Sequence, residues 1–330
     1  MSKSIVVHTG RKPGDPFVEE MEALDAPDVQ VYLRGPCSTP AEVLEAVRDA
    51  DVGLCGREPY TEEVFAGAPK LKMVIRYGVG VDTIDLDAAT RHGVVVGHLP
   101  DFCIREVANH ALVLLMNCAK KVPQLDRRIR TEGWGSKSIL SPMGPIHGET
   151  AGLIAFGNIA QALADRLKVL QMRVIAYDPF CPGMQFEHAG VECVSLDELA
   201  QQSDYISCHL PLNPHTRGML DGAFFSQMKP TAYFINTSRG GVVKEADLIA
   251  ALSTGQIAGA GLDVFEREPI CPDHPFCGME NVVLTPHTAS YSDKTMEIQR
   301  RRIGKDSLAV CRGGLPDFVA NPAVLANRRK

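Results

Sequence analysis

Short apolar runs alternate with amphipathic stretches along almost the whole of this chain, and that alternation limits the fold more than any other feature. Runs at 4–7, 29–33, 52–55, 73–77 and 94–97 have the length and β-branched content of buried strands. Segment 39–48 sets Val43, Leu44 and Val47 on one face behind a Thr39 cap, and 86–91 also reads as helix. Strands separated by helices cannot close tight hairpins; they pair in parallel through helical crossovers. The first hundred residues therefore form one small α/β unit.

Beyond residue 100 the alternation pauses. Residues 106–121 repeat apolar positions (Val107, Ala108, Ala111, Leu112, Leu115) at three- and four-residue spacing, with Lys120 and Lys121 at the end that favours cations. The stretch that follows, with Trp134, Pro142, Gly144 and Pro145, has the composition of a linker or docked loop. Strand signals resume at 152–156, 174–177, 205–209, 232–236, 259–263 and 282–284, with helices at 159–170 and 244–253 between them. That predicts a second sheet of about six strands. Only some forty residues follow His287, too few for a domain. One helix, 293–309, fills much of that tail, which is expected to return to the first unit. The expected architecture is α/β, two Rossmann-like doubly wound parallel-sheet domains with a hinge and an interdomain cleft. One domain is discontinuous, 1–100 plus 292–330, and the other is 101–291. The two crossings, near 100–103 and 290–294, would form the hinge.

Composition narrows the function classes. Of the 330 residues, 45% are apolar and 22% charged, as in ordinary soluble proteins, and a net charge of −6 argues against nucleic acid or an anionic membrane as partner. The apolar run 111–116 is far shorter than the ~18–20 residues needed to span a bilayer. The first eight residues lack the apolar core of a signal peptide and read as a strand. Ten cysteines are scattered with no C-x-x-C pair and no zinc-type spacing, so no metal is expected. A reducing, cytoplasmic setting follows as the expectation.

The segment 152–160 joins a strand to a helix and reads against G-x-G-x-x-G/A as Ala155, Gly157 and Ala160. Gly157 would let the backbone approach a pyrophosphate, whose phosphates would sit on the N-terminus of the helix starting near Asn158. Ala155 departs from the pattern where a glycine normally makes the tight turn. Such a turn alone can be mere packing. Asp178, 21 residues after Gly157 at the end of the next strand, decides for a dinucleotide. A carboxylate there accepts ribose hydroxyls and repels a 2′-phosphate, and no Arg or Lys stands near it, so the cofactor predicted is NAD.

Three more segments end predicted strands of the second unit: Asn236-Thr237-Ser238-Arg239-Gly240-Gly241, Asp263-Val264-Phe265-Glu266-Arg267-Glu268-Pro269 and Thr285-Pro286-His287-Thr288-Ala289-Ser290. Ligands bind beyond the carboxyl ends of such strands, so Arg239, Asp263, Glu268 and His287 can converge there. With the loop Arg76-Tyr77-Gly78-Val79-Gly80-Val81-Asp82 and the run Ser203-Asp204-Tyr205-Ile206-Ser207-Cys208-His209-Leu210-Pro211, these motifs make the chain resemble the D-isomer-specific 2-hydroxyacid dehydrogenases over nearly its full length. Segment 100–108 looks most like the phosphoglycerate-dehydrogenase and C-terminal-binding-protein branch.

The resemblance implies that Arg239 holds the substrate carboxylate and carbonyl, that His287 is the acid and base, and that Glu268 fixes the histidine tautomer. It also implies that Asp263 binds the carboxamide, and that Thr237, Ser238 and Ala289 frame the cofactor. Asn158 and Ile159 would contact its pyrophosphate, and Leu210, Pro211 and Thr216 would line its adenosine side. Gly78, Val79 and Gly80 would offer amides to the substrate, with Tyr77 and Arg57 facing its side chain and Tyr291 nearby. Arg57 is either a second anion site or a solvated surface charge. The function expected is hydride transfer between NAD and a small 2-hydroxy or 2-oxo acid. A formate dehydrogenase is disfavoured because that branch carries glutamine in place of Glu268. A corepressor-like protein that senses NAD without turnover is the alternative from another class. The resemblance further implies a homodimer through 106–121 and the Trp134 loop. The sequence leaves no room after residue 330 for the regulatory domain many phosphoglycerate dehydrogenases carry.

Overall fold

The computed structural model describes residues 3–134, 140, 141 and 143–329, so Pro142 of the expected loop lies outside the described residues. The chain divides into two compact units, Met1–Cys103 with Ser292–Lys330, and Ile104–Tyr291. No described helix is long and apolar enough to cross a membrane.

The first unit runs β1 (Ser4–His8), α1 (Val18–Leu24), β2 (Val29–Leu33), α2 (Pro40–Val47), β3 (Val52–Cys55), α3 (Glu62–Gly67), β4 (Met73–Arg76), α4 (Leu86–Arg91) and β5 (Val95–Gly97). Its strands are all parallel in the order β2-β1-β3-β4-β5. Side chains alternate between faces along a strand. Val7 and Val74 accordingly join the layer with Val43, Val47 and Phe65, while Val6, Met73 and Ile75 join the opposite one. Both layers exclude water around β3, β4 and β5, which is why these strands read as unbroken apolar runs, whereas β2, at the sheet edge, exposes Gln30. Thr39 caps α2 through a reciprocal capping box with Glu42.

The second unit opens with α5 (Ile104–Lys120) and α6 (Val122–Glu132), then β6 (Thr150–Ile154), α7 (Asn158–Val169), β7 (Arg173–Tyr177), α8 (Gly183–Ala189), β8 (Glu192–Cys193), α9 (Leu196–Gln202), β9 (Tyr205–Cys208), α10 (Gly222–Gln227), β10 (Tyr233–Asn236), α11 (Glu245–Ser253), β11 (Gly259–Leu262) and β12 (Val282–Leu284). Two expectations change. The sheet has seven strands, because the two-residue exposed β8 pairs on the edge beside β7. The residues after 121 do not leave as a linker. Lys121 turns through φ +52°, and α6 begins at once with Pro123 in its first turn, where the missing N–H does no harm.

The strand order β12-β11-β10-β9-β6-β7-β8 reverses direction at β6. From there the chain winds one way through β7 and β8, then the other from β9 outward. The carboxyl ends of β6 and β9 thus flank the switch point where doubly wound sheets open a crevice.

The chain then returns to the first unit as α12 (Asp293–Cys311). Ile303 and Val310 of α12, and Val324 beyond it, complete the layer holding Val6 and Met73. Arg329 donates from its guanidinium to the carbonyls of Ala68 (2.6 Å), Leu71 (3.0 Å) and Phe65 (3.2 Å), capping the end of α3.

Asp306 on α12 carries a cost. It is 1% exposed, one carboxylate oxygen has no partner, and burial, followed by repulsion from Asp317, raises its pKa to about 6. The folded state therefore keeps a proton that the unfolded chain releases near pH 4. Stability falls as pH rises from about 4 to 6, and the deficit persists above that range. Asp306→Asn keeps an acceptor for the Asp317 N–H and removes the charge. Its expected gain is roughly 2–3 kcal/mol at pH 8, vanishing near pH 4. Urea melts of both proteins across that range check this, and a pH-independent difference would contradict it.

Candidate active site

The turn after β6 has the shape a pyrophosphate needs. Gly157 is the N-cap of α7, no side chain caps that helix, and a Cβ on Gly157 would meet nothing within 4 Å. The amides at the start of α7, at Asn158 and Ile159, thus face an open cradle at the positive end of the helix. Ala155 supplies the tight turn in place of glycine. Its φ is +67°, and its N–H donates to the Tyr177 carbonyl at 2.8 Å. An alanine held there costs about 1–2 kcal/mol in backbone strain.

Asp178 follows β7 and is fixed by two amides: Phe156 N–H donates to Oδ2 and Phe180 N–H to Oδ1, each at 2.9 Å. The first of these ties Asp178 to the turn after β6. Around the rest of the crevice, Leu210 is buried and Pro211 exposed, while half-buried Thr216 braces its own turn by donating to the Pro211 carbonyl at 2.6 Å. Ser238 is held by Asn236 Oδ1 (2.8 Å) and lies 3.5 Å from the Cys208 thiol. Thr237 is buried and its hydroxyl finds no partner among the described residues. A buried hydroxyl without a partner is expensive, so an outside polar group fits there. With the open cradle at Gly157, it makes the second unit fit a dinucleotide.

The loops after β10, β11 and β12 lie side by side at the carboxyl end of the sheet. Asn236 ends β10 and donates to the Arg239 carbonyl at 3.1 Å, holding the 236–239 turn closed. The Arg239 guanidinium donates to the Ser238 carbonyl at 2.8 Å. Next to it, Gly240 packs its backbone directly on that of Phe265 and Glu266, where a Cβ would overlap the Phe265 carbonyl. Only glycine allows this approach, and it brings the Arg239 turn against the segment that bears Glu268.

Glu268 Oε2 lies 2.7 Å from His287 Nδ1, and Oε1 accepts the Phe265 N–H at 3.1 Å. The carboxylate is 19% exposed and the imidazole 26%. A carboxylate on Nδ1 keeps the proton there, which leaves Nε2 to exchange one with a bound molecule. His287 has φ +53°, and its N–H donates to the Asp263 carbonyl at 2.8 Å. A non-glycine residue in that conformation is held by its surroundings, and such outliers cluster at working sites.

Asp263 is the hub of those surroundings. It has no exposed surface; Oδ1 accepts the Thr285 hydroxyl (2.6 Å) and the Thr288 N–H (2.9 Å), and Oδ2 accepts the Ala289 N–H (2.9 Å). His110 on α5 adds its Nε2 at 2.9 Å from Thr285 Oγ1. Sequence reasoning missed His110 and Thr285. Thr285 sits in a quoted motif, but His110 lies in an amphipathic helix where nothing distinguishes it from a surface residue. His209, which could be mistaken for catalytic, is half-buried beside Ser207 Oγ (3.0 Å), and desolvation pushes its pKa down to about 4, so it stays neutral.

In the first unit, Gly78 N–H donates to the Arg76 carbonyl, the Gly78 carbonyl accepts Leu99 N–H, and the Val79 carbonyl lies 2.9 Å from His98 Nδ1. Gly80 follows, half-buried, and Arg57 is exposed. Tyr77 departs from the expected orientation. Its ring packs in the layer with Met73 and Ile75, and its hydroxyl donates to the buried Glu20 at 2.9 Å. Strand alternation sends it there, two residues on from Ile75. Tyr291 is exposed.

Residues 112–289 match the model of the D-isomer specific 2-hydroxyacid dehydrogenase, NAD binding domain. A glyoxylate reductase from Korarchaeum cryptofilum is 40% identical over 292 residues, covering 87% of this chain and 87% of that protein. A D-3-phosphoglycerate dehydrogenase from Mycobacterium bovis is 40% identical over 261 residues, which is 79% of this chain; the chain spans about half that relative's length, 48%. Among solved structures, one from Thermus thermophilus superposes with a TM-score of 0.85 at 32% identity, covering 96% of this chain and 99% of the other.

Proposed function

This chain belongs to the D-isomer-specific 2-hydroxyacid dehydrogenases and is an NAD-dependent oxidoreductase, and on that premise we propose that Arg239, His287 and Glu268 carry its reaction with a small 2-hydroxy or 2-oxo acid. The observation that supports this most is the 2.7 Å contact between Glu268 Oε2 and His287 Nδ1 on a loop held in an unfavourable conformation. When bound in the second unit, a dinucleotide would supply or accept the hydride. Arg239 binds the substrate carboxylate and polarises the carbonyl with its planar fork. His287 delivers a proton from Nε2 to the carbonyl oxygen in reduction and removes it in oxidation. Glu268 stabilises the charged imidazole.

On the cofactor side, the reading gives the ribose to Asp178, the pyrophosphate to Gly157, Asn158 and Ile159, and the adenosine walls to Leu210, Pro211 and Thr216. The nicotinamide end falls to Thr237, Ser238, Asp263 and Ala289. In the first unit, residues 1–100 with 292–330 form the substrate domain, and Val79 and Gly80 offer amides to the carboxylate, while the Gly78 N–H stays on the Arg76 carbonyl and shapes the turn. Arg57 is assigned to the distal end of the substrate.

The test is NADH oxidation with glyoxylate, hydroxypyruvate, pyruvate, 2-oxoglutarate and phosphohydroxypyruvate, and NADPH in parallel. Turnover is expected with NADH, with NADPH at least about tenfold poorer because Asp178 faces the extra phosphate. A preference for phosphohydroxypyruvate or 2-oxoglutarate would bear out Arg57 as a second anion site. NADH binding without turnover on any acid would replace this reading with an NAD-sensing one.

We also propose a homodimer. α6 buries none of its residues, and Val113, Val122, Ile129 and Trp134 are exposed at 52%, 51%, 46% and 90% along α5, α6 and the residues after it. Apolar side chains clustered in this way mark an interaction surface. Sedimentation should give twice the 35.8 kDa chain mass, and a monomer at micromolar concentration would contradict the assignment.

A further inference from the structure

The proposed reaction leaves His110 and Thr285 without a role, yet both touch the residue that holds the His287 loop. His110 Nε2 lies 2.9 Å from Thr285 Oγ1 and 3.5 Å from Asp263 Oδ1, and Thr285 Oγ1 lies 2.6 Å from the same Oδ1. The proton directions are fixed by counting. Both Asp263 oxygens already accept amide protons, from Thr288 and Ala289, so the 2.6 Å contact is the Thr285 hydroxyl donating. Its one proton is then committed, and Thr285 Oγ1 can only accept from His110. Nε2 of His110 therefore carries a proton, and the three side chains form a directed chain from α5 through the end of β12 to the end of β11.

We infer that His110 is a positioning residue for His287, acting through Thr285 and Asp263. This rests on the proposed role of His287. The loop needs such a brace because His287 sits at φ +53°, a conformation that relaxes unless its neighbours over-determine it. Asp263 supplies that restraint from both its side chain and its carbonyl, which accepts the His287 N–H. Thr285 in turn sets how Asp263 points. Without the threonine hydroxyl, His110 Nε2–H is the side-chain donor left beside Oδ1, 3.5 Å away. Asp263 then turns towards it from 3.5 Å and releases the Thr288 amide. Without His110, Thr285 Oγ1 loses the donor on its lone pairs, and the hydroxyl is held by the bond to Asp263 with nothing behind it from α5. Either change lets the imidazole drift from its working position while Arg239, on another loop, still binds substrate.

The experiment compares Thr285→Val with Thr285→Ser, His110→Leu with His110→Gln, and the Val/Leu double variant. For the best 2-oxo acid, Val and Leu should each lower kcat about 10- to 100-fold, as expected for a reacting group displaced by up to an ångström, with KM within about threefold. Ser and Gln keep the donor or acceptor and should recover kcat to within about threefold. The double variant should be no slower than the slower single, since both break one chain. Equal losses in Ser and Gln, or losses that multiply in the double variant, would overturn the inference. ¹⁵N-histidine spectra read the same coupling without turnover: Thr285→Val should shift the His287 ring signals together with those of His110. An unmoved His287 signal would overturn it. An inert wild-type enzyme whose His287 signal does shift would instead sink the proposed function and leave the coupling standing.

Discussion

Replacing His287 with asparagine should lower kcat for the preferred 2-oxo acid by about 10²–10⁴-fold, the range for a positioned acid–base group. Asparagine can still hydrogen-bond Glu268, so the loop keeps a partner at that site, but it has no proton to give. The loss should therefore fall on kcat, with NADH affinity by fluorescence titration nearly unchanged. A variant that keeps its activity, or loses it only through weaker NADH binding, would remove His287 from the chemistry.

Arg239→Lys is expected to cost about 10²–10³-fold in kcat/KM, comparable to losing one preorganised donor at a developing oxyanion. Lysine keeps the charge but presents a single ammonium where the guanidinium offers a planar fork. It also gives up the 2.8 Å bond to the Ser238 carbonyl that steadies the arginine. Because the carboxylate contact is made in ground and transition states while polarisation grows towards the latter, KM should rise and kcat should fall together. Steady-state kinetics on both enzymes decide it. A lysine enzyme within about fivefold of wild type would show that charge alone suffices and that the fork has no special role.

Much of this protein is legible before folding because its strands are buried on both faces. A strand covered on two sides reads as an unbroken apolar run; with the edge strand β2, whose β-branched content marks it despite exposed Gln30, the strands of both sheets are located except one. The exception is β8, two exposed residues that carry no hydrophobic signature. α6 is hidden for a different reason: it buries no side chain, and Pro123 imitates a break when it opens the helix. At the site, Glu268 and His287 can be named because their motifs are contiguous, and they meet at 2.7 Å. Tyr77 cannot be oriented, since a residue beyond the end of β4 keeps strand alternation only if the backbone stays extended. His110 is invisible because its partner Thr285 is 175 positions away, a distance no periodicity within a helix can report.

The discontinuity of the first unit bears on how the molecule is made. Its sheet is complete by Gly97, but the layer covering one face waits for Ile303, Val310 and Val324, and the end of α3 waits for Arg329. A ribosome delivers all 188 residues of Ile104–Tyr291 before any of these emerge. The second unit can thus condense during synthesis around its own core, while the earlier strands stand with one apolar face uncovered. The part of the protein made first is the part finished last, and for that interval the apolar face of β1, β3 and β4 stays open to contact with other chains.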